Sequence, residues 1–224
     1  GTDRLNHIAI EVDNAEAMRL YLASKGIKVP EKTPKGRTGN SNFTIKDPDG
    51  HGVEIVQYEP DSASAKARGK FLPATRISDR MAHVGILVGS LDKAIAFYGG
   101  ILGFQETWRG SRDGKVLNWV NAKVPDGDDY VEFMLYSGAT PAGAERGTAH
   151  HLCLFVPEIT KSKGIVAGRT EANHYQRSLE VRTGINRKRQ LNLYDPDGTR
   201  VELMEPNTVD GVPTPSSKAP PPSN

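Results

Sequence analysis

One pattern occurs three times in the chain, and it constrains the fold more than any other feature. The copies are LNHIAIEV at 5–12, MAHVGILV at 81–88 and AHHLCLFV at 149–156. His7, His83 and His151 align, and the residues one, three and five places after each are apolar: Ile8, Ile10, Val12; Val84, Ile86, Val88; Leu152, Leu154, Val156. Such alternation is the signature of a strand with one buried face. Each His lies on the opposite face, followed two places on by a small residue, Ala9, Gly85 or Cys153, which leaves room for something there.

Each strand leads into a helix-length segment. The clearest runs from Ser90, a capping residue, to Leu102, with Ala94, Phe97, Tyr98 and Ile101 at helical spacing. Asn14 to Lys25 reads the same way and Gly26 stops it. In the third copy Pro157 is an acceptable start, but Gly164 and Gly168 interrupt the interior at about 1 kcal/mol each. The copies also end alike, with DPDGHGVEIVQYEP at 47–60, DYVEFMLY at 129–136 and DPDGTRVELMEP at 195–206, so that Glu54, Glu132 and Glu202 align. Asp-Pro-Asp-Gly reads as turn chemistry joining two strands of a hairpin. From His to Glu the separations are 54 − 7 = 47, 132 − 83 = 49 and 202 − 151 = 51, nearly constant while the sequence between them diverges.

Each unit is therefore expected to be a βαβββ module, and the fold class α+β, with a curved mixed sheet and helices on its convex face. Residues 1–60 form one module, 61–80 a linker rich in Ser, Ala and Lys, and 81–206 a pair of modules joined by a Gly- and Ala-rich stretch at 137–148. The Pro- and Ser-rich tail, 207–224, is expected to be disordered. A lone first module lacks an internal partner for its half-sheet. It is expected to pair with a module missing upstream or with another chain, as in a homodimer, or to serve only in assembly.

Among 224 residues, 29 are basic and 27 acidic, a net charge of +2. That balance argues against nucleic acid as the main partner. No apolar run approaches the roughly 18 residues that span a bilayer, so a soluble protein is expected, cytoplasmic by default; because the chain begins at Gly1, a removed leader or upstream segment stays open. A single cysteine, Cys153, excludes an intramolecular disulfide framework and multi-Cys zinc modules. His, Asp and Glu remain as metal ligands.

One His on an open strand face is ordinarily structural. Three copies, each paired with a carboxylate on another strand of the same module, are what a divalent metal site needs. Two modules side by side bring together two His and two Glu, a set of three or four ligands with positions left for water or substrate. The segment HVGILVGSLDKAIAFYGGILGF at 83–104, with its Phe97–Tyr98 pair and its Leu-Gly-Phe ending at Phe104, resembles the opening module of the vicinal oxygen chelate superfamily, which includes glyoxalase I, bleomycin-resistance proteins and extradiol dioxygenases. The repeat extends the resemblance over 5–60 and 81–206. What it implies is a paired-module cup holding a metal through the first-strand His and last-strand Glu of each module. Those positions are His83, Glu132, His151 and Glu202, with His7 and Glu54 as a half-site.

The resemblance also implies a small-molecule substrate with two adjacent oxygens and one divalent ion, with Fe, Mn, Zn, Ni and Co equally suited. A lyase, isomerase or dioxygenase is expected, with Glu132 or Glu202 as general base; the alternative is a metal-free sequestering protein of the bleomycin-resistance type. Tyr194 abuts Asp195 with no His in the eight residues before it, which departs from the ring-cleaving pattern. Arg182, Arg187, Lys188 and Arg189 could meet the glutathione carboxylates of a glyoxalase, but read as a solvated strand end. His150 is expected on the face opposite His151, Cys153 as a small filler, and His174 and Tyr175 as loop residues.

Overall fold

The computed structural model describes residues 5–136, 138, 141, 146 and 149–223. The stretch 137–148, expected as a linker, lies mostly outside them. In chain order the elements are β1 (His7–Glu11), α1 (Ala15–Ser24), β2 (Ser41–Lys46), β3 (Gly52–Gln57), α2 (Ala63–Ala67), β4 (Arg80–Val88) and α3 (Leu91–Ala94), which continues as a π-turn over Ile95–Gly99. Then follow β5 (Gln105–Gly110), β6 (Trp119–Lys123), β7 (Tyr130–Leu135), β8 (His151–Phe155), α4 (Ile159–Asn173), β9 (Val181–Thr183), β10 (Lys188–Tyr194) and β11 (Arg200–Thr208).

The strands form two sheets, a three-stranded one in the order β1-β3-β2 and an eight-stranded one in the order β5-β6-β7-β4-β8-β11-β10-β9. This is the α+β class with a curved, mixed sheet. In every module the first and last strands pair in parallel, β1 with β3, β4 with β7 and β8 with β11. Each aligned Glu then stands opposite the small residue two places after the His: Ala9 with Glu54, Gly85 with Glu132, Cys153 with Glu202. This shared register explains the near-constant separation. The antiparallel pairing of β4 with β8 joins the two halves of the large sheet about a pseudo-twofold, setting Gly85 opposite His151 and His83 opposite Cys153.

Local chemistry sets the boundaries. Asn14 Oδ1 accepts from Ala17 N at 2.9 Å to cap α1, and Gly26 ends it at φ +77°. Both Asp-Pro-Asp-Gly segments make the expected turns. Asp47 Oδ1 accepts from Asp49 N at 3.0 Å and His51 N at 2.7 Å, and Asp195 Oδ1 accepts from Thr199 N at 2.8 Å.

Three expectations need correction. The first module has two strands after its helix rather than three; residues 26–40, broken by Pro30, Pro34, Gly36 and Gly39, supply only an isolated bridge from Lys35 to Ser41. In the third module α4 forms despite its glycines, because Gly164 and Gly168 face open space while Ile159, Ser162 and Val166 are buried beneath the helix. Packing of that face outweighs propensity. The tail is not disordered where it is described. Val209 N donates to Arg187 O at 2.9 Å, Thr214 Oγ1 to Asn186 O at 2.6 Å, Arg109 N to Ser216 Oγ at 3.2 Å, and Ser217 N to Arg109 O at 2.9 Å. Prolines cannot donate, but their carbonyls accept; Leu117 N donates to Pro220 O at 2.8 Å, so the strap closes along the free edge of β5.

One apolar cluster runs from Ile8, Leu22, Val53 and Ile55 of the first module to Ile86, Tyr98 and Phe133 of the second. The third module packs its own cluster of Val156, Ile159, Val166, Leu191 and Leu203. The first module therefore turns its apolar face to the pair and leaves His7 exposed.

A candidate metal centre at the seam of the paired modules

The pseudo-twofold brings the four aligned side chains of the pair to one place. His83 Nε2 is 3.0 Å from His151 Nε2, and lies 4.0 Å from both Glu132 Oε2 and Glu202 Oε2. His151 Nε2 is 3.6 Å from Glu132 Oε2 and 3.3 Å from Glu202 Oε2. Donors about 2.1 Å from one ion stand about 3 Å apart when at right angles around it and about 4 Å apart when opposed, and these separations span that range. All four residues are buried.

The ring of His151 fits because Gly85 lies beneath it. A Cβ on Gly85 would stand 2.1 Å from His151 Cε1 and 2.3 Å from its Nδ1. The small residue after the second His thus makes room for the third, as the repeat suggested. By the same symmetry Cys153 fills the slot facing His83. Its sulfur falls in a second donor group with His83 and Glu202, which sequence reading passed over. Burial, with Glu202 and Glu132 nearby, pushes its thiol far up, which holds it protonated.

Charges are arranged to leave donors open. Burial, then His151, Arg200 and Lys188, hold the His83 imidazole well below its ordinary range, so it is neutral with a lone pair to offer. Burial raises Glu132 to about 7, with Glu202 adding to the rise and His151 and Arg200 opposing it. Glu202 Oε1 and His83 Nδ1 are buried with no hydrogen-bond partner. Buried polar atoms seldom remain unpaired, and a carboxylate oxygen orphaned beside two imidazoles fits a cation. The residues present suit a divalent ion.

Around the four, two cross-strand rows line the same sheet face. One row runs Tyr194, Arg200, His151, Gly85, Glu132, Asn121, Trp108; the other runs Asn192, Glu202, Cys153, His83, Tyr130, Lys123. Tyr130 stacks on His83 with ring centroids 4.6 Å apart, whereas its symmetry mate Arg200 brings Nη2 to 2.6 Å from His151 Nδ1. Asn121 and Asn192 are also symmetry mates, each opposite a site glutamate and each with a buried Oδ1 lacking a partner. Of these flanking residues, Tyr130, Arg200, Asn121 and Asn192 were not singled out from sequence. The signal available was position: Tyr130 and Arg200 each precede the aligned Glu by two.

The half-site of the first module does assemble, with His7 Nε2 3.1 Å from Glu54 Oε2, but Asn6 and Asn42 already occupy the pair and no second module faces it among the described residues. His150 lies edge-on to His51, ring centroids 5.2 Å apart, and so belongs to the contact with the first module. Of the basic cluster, Arg182, Arg187 and Arg189 pair with Glu180, Asp210 and Glu205, while Lys188 is half-buried over Phe155. Tyr175 Oη accepts from Tyr194 N at 3.1 Å, which is a loop-anchoring role. A cleft of about 570 Å³ near the linker, lined in part by Arg76, Arg80, Phe155 and Pro206, contains none of the aligned His or Glu.

A family model for the Glyoxalase/Bleomycin resistance protein/Dioxygenase superfamily matches residues 2–55 and 80–203, and the chain belongs to that superfamily. Among curated proteins it resembles a lactoylglutathione lyase of Schizosaccharomyces pombe, 31% identical over 93 residues, which are 41% of this chain and 27% of the lyase. The chain therefore matches less than a third of that relative's length. Among solved structures, the 2,3-dioxygenase LapB from Pseudomonas sp. KL28 superposes with a TM-score of 0.66 at 16% identity, over 97% of this chain and 76% of that one. The Mn(II)-bound glyoxalase from Novosphingobium aromaticivorans gives 0.65 at 13%, over 98% and 68%. At these identities the likeness is one of fold. No helix among the described residues is long and apolar enough to cross a membrane.

Proposed function

We propose that the protein is a metal-dependent enzyme acting on a small molecule with two adjacent oxygens, and that His83, Glu132, His151 and Glu202 hold one divalent ion. The observation that carries this reading is the convergence of four buried donors, one His and one Glu from each of two modules, with Glu202 Oε1 left without a hydrogen bond. A divalent ion there supplies Lewis acidity toward an enolate or alkoxide. The chain's own residues do the rest. Burial of the cluster excludes water, Ala149 O can accept from His151 Nδ1 at 3.0 Å and so turn Nε2 toward the centre, and Tyr130 packs His83 in place. Whichever of Glu132 and Glu202 is not required as a ligand holds or removes a proton next to the bound oxygens. Presence of an Mn-bound glyoxalase and of dioxygenases among the structural neighbours supports a divalent ion.

Metal content measured after loading separates this reading from ligand sequestration. Wild type is expected to take up one equivalent, His151→Ala and Glu202→Ala to lose most of it, and His150→Ala, altered on the far side of the strand, to keep it. A wild-type protein that takes up no divalent ion would leave the metal-free sequestering reading instead.

A further inference from the structure

The pseudo-twofold is inexact, and at one pair of positions where the halves differ the break places a cation beside the centre. Where the first half has Tyr130, the second has Arg200. Its Nη2 lies 2.6 Å from His151 Nδ1, 3.4 Å from Ala149 O and 3.8 Å from Met134 Sδ, so the side chain reaches from β11 across the seam to β7. Its Nε is buried without an acceptor, and among the described residues no carboxylate stands within ion-pair distance of it. An arginine so placed is costly unless something anionic meets it.

The contact with His151 sharpens the point. A guanidinium only donates, so Nδ1 must accept from it, yet the same Nδ1 stands 3.0 Å from Ala149 O, to which it can only donate. One nitrogen cannot do both. If Nε2 is a metal ligand, the ring proton belongs on Nδ1 and is directed to Ala149 O, and Arg200 then loses its shortest acceptor and keeps only the longer contacts to Ala149 O and Met134 Sδ. A loaded centre would therefore loosen the guanidinium and leave it room for an anionic partner. Charge agrees with this: two carboxylates would balance a divalent ion, leaving as excess positive charge Arg200 and Lys188, which lies over the Phe155 ring and has no ion pair among the described residues.

We propose that Arg200 determines specificity at this site, and that the substrate is a small α-oxygenated carboxylate. One carboxylate oxygen and the α oxygen are the adjacent pair, and the remaining carboxylate oxygen is taken by Arg200. The inference rests on the metal-centre reading above and deepens it. Two chelators separate the roles. Oxalate offers adjacent oxygens and free anionic oxygens beyond them; acetohydroxamate offers adjacent oxygens with a methyl group in that place. Each is titrated into Mn²⁺-loaded protein, and binding is read from the relaxation of water protons by the bound ion, with no turnover required.

Arg200→Met is expected to bind Mn²⁺ at least as tightly as wild type, because the ion no longer has to displace a hydrogen bond. It should weaken oxalate by about tenfold or more while leaving acetohydroxamate within about twofold. Arg200→Lys, which keeps the charge without the planar fork, should retain part of the oxalate preference and guards against simple loss of fold. Unchanged oxalate binding in Arg200→Met, or an equal loss of both chelators, overturns the role of Arg200 and leaves the metal centre standing. Failure of the wild type to take up Mn²⁺ overturns both.

Discussion

Gly85 is the residue on which the centre geometrically depends. Any side chain there enters the ring of His151, with 2.1 Å between the first added carbon and Cε1. Gly85→Ala must push the imidazole off its rotamer or spread β4 from β8, a strain of about 1–3 kcal/mol. It is expected to abolish metal uptake while leaving most of the fold intact, as metal content and circular dichroism of the same sample would show. Retention of a full equivalent would mean that His151 has another way in. The first module carries Ala9 at the aligned position, and there no second imidazole has to be admitted. Sequence alone showed that the residue had to be small. It did not show whose side chain the space was for, because that depends on pairing between modules some seventy residues apart, which no local pattern encodes.

At the scale of elements, strands and turns were the most legible, since alternation and Asp-Pro-Asp-Gly act over a few residues. Less legible were elements decided by distant partners. Helix α4 forms because Ile159 and Val166 find a sheet to cover, and the strap at 209–220 is ordered because β5 offers it an unpaired edge. Composition correctly reported that the strap cannot build a core, but not that a neighbour would supply its hydrogen bonds. Deleting residues 209–224 removes the acceptors of Leu117 N and Arg109 N and the donor to Arg109 O. With a net contribution near 1 kcal/mol for each bond, part of it recovered from water, a loss of about 2 kcal/mol is expected. Thermal unfolding of the truncated chain measures it, and an unchanged midpoint would show that the strap merely lies on the surface.

For the whole molecule, the question is how a module without a concave partner is fastened to a complete pair. The continuous apolar cluster accounts for affinity, but orientation comes from the turn between β2 and β3. Asp47 Oδ2 receives His51 Nδ1 at 2.8 Å and the Tyr98 hydroxyl of the second module at 3.0 Å, all three buried. Asp49 Oδ1 accepts from Gly89 N at 3.0 Å, and His51 meets His150 at the start of the third module's strand. Burial, with Asp47 and Asp49 close by, pushes Tyr98 well above its ordinary range, so its hydroxyl stays a donor and needs this acceptor. The equivalent turn at Asp195 is a natural control, since among the described residues the carboxylate there serves only its own turn, with Thr199 where the first module has His51. Asp195→Ala should then cost about 1 kcal/mol, in line with the loss of a local side-chain-to-backbone bond. Asp47→Ala also strands a buried imidazole and a buried phenol, and should cost about 3 kcal/mol. Its urea unfolding should separate into two steps, with amides of β1 and β3 exchanging before those of β4 and β8. Equal costs at the two turns, or a single cooperative transition in Asp47→Ala, would show that Asp47 is turn chemistry alone and that the shared apolar cluster holds the first module unaided.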